Sequence, residues 1–255
     1  MSDNESPKLK MMKLTLANLD WDNKGGQWDG SAFLALPDIG TLNSRERDDL
    51  EWVIARDERK FANMPLVRDR FEFRVAPLFA ALLQSPRLAR LWAEMGDFFI
   101  TTHIRGTLSE LDRAWLDMGL SPLLVNAWVQ SGNIPTAAAL GISADDIVAI
   151  RENRLDTLPQ DARAIVDLAQ ATFRGTVSAE QFKALALERG TKWVIEAIGF
   201  AVFRIGSAII DSAMWQLQGI RGGDHIVQEM ISALRNGTLG AQDMMDKAAF
   251  ASERA

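Results

Sequence analysis

Apolar side chains recur along this chain at three- and four-residue intervals, the spacing of one helix face, and that pattern predicts a series of helices. Ser44 is placed to cap the first, which carries Leu50, Val53, Ile54 and Phe61 on one side and stops at Pro65. Phe73, Leu78, Phe79, Leu82 and Leu83 make a second apolar face, with Pro77 near its start. Ser85-Pro86 opens a third helix through Leu88, Leu91, Trp92, Met95 and Phe99, proline suiting a first turn. Ser109 caps the stretch from Leu111 to about Met118, and Asn126 to Leu140 reads as helical with Gly132 and Pro135 as points of bending or breakage. Ser143 precedes Asp145 and Asp146, where acidic residues favour a helix N-terminus, and Ile147 and Ile150 follow. Asp161 to Phe173 has an apolar face of Ile165, Val166, Leu168, Ala169 and Phe173. Ser178-Ala179-Glu180-Gln181 is a capping box. Trp193 to Leu217 is apolar nearly all round and should therefore be central. A last helix, about Asp224 to Leu234, ends in Arg235-Asn236-Gly237. No stretch alternates at period two, so the expected class is all-α.

Residues 1–45 are the part with least helical character. Asp22-Asn23-Lys24-Gly25-Gly26-Gln27 is turn chemistry, and Trp21, Trp28 and Phe33 around it suggest an arm that packs on something. We expect residues 1–80 to form an N-terminal arm and helices that pack on a helical domain spanning 81–255.

Composition narrows the chemistry. The 255 residues are 47% hydrophobic and 24% charged, ordinary for a globular protein with a substantial core. A net charge of −6 argues against a broad nucleic-acid footprint or a polybasic membrane anchor. The absence of cysteine removes thiol catalysis, disulfides and thiolate metal sites, and the absence of tyrosine removes a phenolic acid or base. Only His103 and His225 are histidines, and neither phosphate-loop nor dinucleotide fingerprints occur, so no metal or other cofactor is expected. The opening MSDNESPKLKMMK lacks the apolar run of a signal peptide. Trp193 to Ile210 contains Glu196 and Arg204 and reads as a buried helix rather than a spanning one. A cytoplasmic protein without membrane or nucleic-acid partners is the default expectation.

Three stretches, in this order, carry a family likeness: Ser85-Pro86-Arg87-Leu88-Ala89-Arg90-Leu91-Trp92-Ala93-Glu94-Met95-Gly96, then Leu140-Gly141-Ile142-Ser143-Ala144-Asp145-Asp146-Ile147, then Leu158-Pro159 through Asp167-Leu168-Ala169. With Val177-Ser178 and the long helix after them, they make residues 83–217 resemble the alkylhydroperoxidase D-like and carboxymuconolactone decarboxylase superfamily. The resemblance implies an alkylhydroperoxidase D-like helical bundle with an N-terminal extension. It also implies a homo-oligomer, trimeric or built from trimers, with pockets near subunit contacts. The redox members of that family use a Glu, a Cys-x-x-Cys and a His. Counted back from Gly141, those positions fall on Ala114, Asn126, Val129 and Asn133, so peroxidase chemistry is lost. The decarboxylase branch needs no thiols, and a small-molecule substrate processed by proton transfer is the implied activity.

Within that frame several residues are candidates. His103 is the histidine inside the matching region and is a candidate acid or base; the plainer alternative is a loop histidine bonded to a helix carbonyl. Asp117, three residues after Ala114 on the same helix face, is placed to stand in for the missing Glu; otherwise it is a solvated or capping aspartate near Gly119. Asn126 and Asn133, two helical turns apart, suit the orientation of a developing oxyanion, or else bond backbone loosened by Gly132 and Pro135. Trp115 and Trp128, with Trp193, either line a substrate pocket or belong to the core. Arg204, in a greasy segment, needs an anionic partner. Glu196 and Asp211 are the candidates on its own helix, and a neighbouring chain or a substrate carboxylate are the others. The leading expectation is a cofactor-independent lyase or isomerase acting on a small apolar carbonyl, carboxylate or lactone compound. A non-catalytic binding or assembly protein and a hydrolase using Asp117 are the alternatives.

Overall fold

A computed structural model describes residues 37–61, 77–100, 106–124, 133–134, 136–138, 140–217 and 224–237. Among the described residues the chain is all-α, with no strand. The helices are α1 (Ser44–Phe61), α2 (Pro77–Leu82), α3 (Pro86–Ile100), α4 (Glu110–Leu120), α5 (Ala144–Arg151), α6 (Gln160–Arg174), α7 (Ala179–Arg189), α8 (Thr191–Leu217) and α9 (Asp224–Arg235).

Local side-chain chemistry sets most helix ends. Ser109 and Asp112 begin α4 with a reciprocal capping box, and Ser143 and Asp146 do the same for α5. Before α7, Ser178 Oγ accepts the Gln181 N–H at 3.1 Å, the forward half of the expected box. The start of α1 differs from expectation: Asn43, not Ser44, is the capping residue. Its Oδ1 accepts the Glu46 N–H at 3.0 Å, and Glu46 returns the bond to the Asn43 N–H at 3.0 Å. An amide one residue earlier reaches the same orphan donor, and a Glu three positions on completes the pair. Helix α6 ends at Gly175, whose φ of 68° is the left-handed conformation that closes a helix.

Two apolar clusters form the interior. The larger is built on α4, α6 and α8, where Leu116, Val166, Leu168, Ala169, Val194, Ala197 and Ala201 are wholly buried. The most extensive helix contact is α4 on α6. It is close because Gly119 has no Cβ; one there would stand 3.1 Å from both the Ala169 Cβ and the Val166 Cα. The smaller cluster joins α1, α2 and α3 through Leu50, Val53, Ile54, Phe79, Leu82, Leu83, Ala89 and Ala93. Each fully buried leucine or phenylalanine contributes about 2 kcal/mol relative to exposure.

Charge fixes the register of α1 on α3. Asp49 accepts from Arg90 at 3.0 Å, and Arg56 donates to Asp97 at 2.9 Å. Both pairs span 41 residues, so the two helices run parallel, and the sign of the pair reverses between one end and the other. A slip of two turns would set Asp49 against Asp97, or Arg56 against Arg90, beside a buried face.

Helix α8 touches α2, α3, α4, α6 and α7, which makes it the central element. Against α3 it runs antiparallel. Trp92 lies over Gly206, Phe203 lies over Gly96, and Phe99 lies over Gly199. Glycine on each helix thus receives an aromatic ring from the other. Yet α8 is not enclosed all round as its composition suggests: Ile195, Val202 and Ile209 are exposed. The α3 stripe is likewise divided. Trp92, Met95 and Phe99 face the core, whereas Leu88 and Leu91 face outward. By length and composition alone, Thr191–Ile210 is apolar enough to cross a membrane.

Candidate functional site

The helix termini and the apolar faces dictate where the polar groups of α4 and α8 meet. Helix α4 turns Leu116 and Leu120 into the core, which leaves Asp117 directed toward α8. Arg204 rises from the middle of α8 to meet it. Arg204 Nε donates to Asp117 Oδ1 at 2.6 Å, and Nη2 donates to Asn133 Oδ1 at 2.9 Å. The ion-pair side chains are only 18% and 17% exposed, so the contact is largely withdrawn from water. Burial raises the Asp117 carboxyl above its ordinary value; the Arg204 charge and hydrogen bond, and the nearby Arg113, pull it back down without cancelling the effect. The result is a carboxyl that holds a proton more readily than an exposed aspartate, beside a fixed guanidinium and a side-chain amide.

Two sequence expectations are corrected here. The anion that meets Arg204 is Asp117 from another helix, and not Glu196. Glu196 is taken up instead by the start of the α4 approach, where its Oε2 accepts both the backbone N–H of Thr107 and, at 2.7 Å, its hydroxyl. A Cβ on Gly106 would overlap that carboxylate, so the glycine makes room for it. The second correction concerns Asp117, which is neither solvated nor a helix cap. The helix does end beside Gly119, at Leu120, but α4 packs against α8 there, so Asp117 in its last turn meets Arg204 instead of water.

A second polar group at the other end of the same seam escaped the sequence analysis. Asp112 accepts the Trp193 indole N–H at 3.1 Å and an Arg189 N–H at 3.1 Å, while still accepting the Ser109 N–H at 2.9 Å. The Arg189 guanidinium also lies over the Trp193 ring, 4.9 Å from its centroid. The signal for it in the sequence is the Ser109-x-x-Asp112 spacing, which suits a reciprocal cap and leaves carboxylate lone pairs for a partner on another helix. Trp193 is thereby a core residue with a satisfied indole, not a pocket wall. Trp115 is also buried, within the larger apolar cluster.

Of the remaining candidates, His103, Asn126 and Trp128 lie outside the described residues, as does the side chain of Asp211. His225 belongs to the first turn of α9. Among the described residues, no group of three or more His, Asp or Glu side chains is placed to hold a metal ion. Three of the residues singled out in the sequence, Asp117, Asn133 and Arg204, therefore converge in space. The chain matches no family model, no curated protein and no solved structure.

Proposed function

We propose that the chain is a cofactor-independent lyase or isomerase that moves a proton on a small, largely apolar carbonyl, carboxylate or lactone compound. The convergence of Asp117, Arg204 and Asn133 carries this reading. A carboxyl with a raised pKa suits proton delivery and removal nearer neutrality than an exposed aspartate. Arg204 and the Asn133 amide supply N–H groups to oxygen that gains charge as an enolate forms. His103 and Asn126 complete the proposed set, His103 as a second acid or base and Asn126 as a further amide donor.

The alkylhydroperoxidase D-like reading belongs with this proposal. Its support is the order Glu110–Leu120, Ala144–Arg151, Gln160–Arg174 and Thr191–Leu217, with Gly141-Ile142-Ser143 and Leu158-Pro159 at the junctions. One observation favours a second reading. The 2.6 Å ion pair already neutralises Arg204, as a binding or assembly protein with a purely structural pair would do.

The test is incubation of the full chain with a metabolite extract, followed by mass spectrometry, alongside His103→Ala and Asp117→Asn. A mass consumed and another formed by the wild type, but not by Asp117→Asn, is the expected result. The mass difference then names the reaction. A compound enriched on the protein but chemically unchanged establishes the binding reading instead. Uptake of oxygen-18 from water into product marks a hydrolase with Asp117 as its acid or base.

A further inference from the structure

Helix α8 carries an outward row that stays exposed among the described residues. Ile195, Val202 and Ile209 are spaced by seven and are 57%, 56% and 62% exposed, with Ile198 and Ile205 between them partly buried. Together these follow a heptad seam, with apolar residues at alternating steps of three and four. Beside it, α3 presents Leu88, Leu91 and Phe98, also exposed. The antiparallel contact of Trp92 with Gly206 and Phe99 with Gly199 fixes how the two rows lie. On α3, Leu88, Leu91 and Phe98 fall on the opposite side of that contact from the α1-facing Ala89 and Ala93. On α8, the isoleucine row falls on the opposite side from the core residues Ala197 and Phe200. Both rows therefore face outward on the same side of the molecule. The six exposed side chains present on the order of 500 Å², the size of the largest and often functional apolar patch of a monomer and more than half of the ~800 Å² each partner gives a standard interface.

We propose that this α3–α8 face is a two-fold interface with a second copy of the chain, in which the two α8 helices pack antiparallel with Val202 at the axis. The spacing is self-complementary: Ile195 and Ile209 lie equally far on either side of Val202, so a two-fold sets each Ile195 against the second copy's Ile209. No side chain in the row carries charge. A lipid surface is the poorer fit, because amphipathic membrane helices carry a basic rim. Here the mid-helix cation, Arg204, is turned inward onto Asp117, and the chain's net charge is −6. Spanning a bilayer would require pulling that ion pair and the buried Phe200 out of the core.

The chain has no cysteine, so single cysteines report on juxtaposition without background. Under mild oxidation the full-length Val202→Cys variant is expected to form a covalent dimer. Ile195→Cys mixed with Ile209→Cys is expected to form a mixed dimer. Ile195→Cys alone is not, because an antiparallel pair separates the two Ile195 positions by about 21 Å along the axis, beyond disulfide reach. Leu187→Cys, on an exposed residue of α7, gives the random-collision rate. Light scattering of the unmodified protein is expected to show an even number of 28.3 kDa copies, and Val202→Glu to lower that mass with helical content unchanged. A monomer or an odd number of copies overturns the proposal. So does Val202→Cys cross-linking no faster than Leu187→Cys, or Ile195→Cys cross-linking to itself. Flotation of the monomer with anionic phospholipid vesicles assigns the face to lipid and overturns it as well.

Discussion

Replacing Gly206 by alanine isolates the packing of α3 on α8. A Cβ at that position stands 2.8 Å from Trp92 Cη2, closer than a Cβ approaches another carbon in a folded protein, and a tight 3.2 Å from Cζ2. The indole has little freedom to retreat. Its Nε1 donates to Ser207 Oγ at 3.0 Å, and its ring meets Phe203 at 5.6 Å between centroids. Alanine is favoured over glycine in a helix interior by about 1 kcal/mol, whereas overpacking of this kind costs about 1–3 kcal/mol. The steric penalty wins, and Gly206→Ala is expected to lose about 1 kcal/mol. For a chain of this size that lowers the midpoint by about 2–4 °C. Gly199→Ala is the internal comparison, because its Cβ would stand 3.3 Å from Phe99 Cζ, a contact that a few tenths of an ångström relieve. There the helix gain offsets the crowding, and the change in stability stays within about 0.5 kcal/mol. Urea unfolding of both variants, repeated in a Trp92→Phe background, gives the coupling directly. If Gly206→Ala matches or exceeds the wild type, or costs the same with and without the indole, the proposed ring-on-glycine packing is refuted.

The ion pair at Asp117 makes a pH-dependent contribution of defined sign. Its folded pKa lies above the ordinary value of 3.8, so within that interval the folded chain binds the extra proton. The stability of the wild type relative to Asp117→Asn should therefore be greatest below pH 3.8, fall as pH rises through the raised value and then level off; a difference flat across the acidic range, measured by urea unfolding, contradicts the assignment. Asp112→Ala removes a cap worth about 1 kcal/mol and bonds from an indole and a guanidinium, so a loss of about 2–3 kcal/mol is expected in thermal unfolding. Gly175→Ala meets no atom within 4 Å, so its expected cost is the left-handed backbone alone, about 1 kcal/mol by the same measurement.

Helix class and most helix starts were legible in the residues, because they depend on neighbours within one turn. Ser109, Ser143 and Ser178 each sit three residues before a backbone N–H that they cap, and that relation needs no tertiary contact. At the start of α1 two candidates lie side by side: Asn43 and Ser44 both suit a cap, and the glutamate at 46 selects the first. Asp117, Asn133 and Arg204 could be picked out individually, Arg204 as a charge in an apolar stretch and the other two by their offsets from positions the family resemblance implies. Their convergence could not, because Asp117 and Arg204 are 87 positions apart and nothing in a single sequence pairs them.

The sequence by itself therefore determined the all-α class, the order of the helices and the exclusion of thiol chemistry, all consequences of local spacing or of composition. The tertiary structure decided which apolar faces are shared. It placed Trp92 and Phe99 on glycines of α8 and left Ile195, Val202 and Ile209 outside, although hydropathy treats them alike. It also decided which charge meets which: Arg204 meets Asp117, and Glu196 meets Thr107. The physical reason is the same in both cases. Burial and pairing depend on distances between segments far apart in the chain, and helix packing sets those distances where side-chain volume and absent Cβ atoms let two backbones approach.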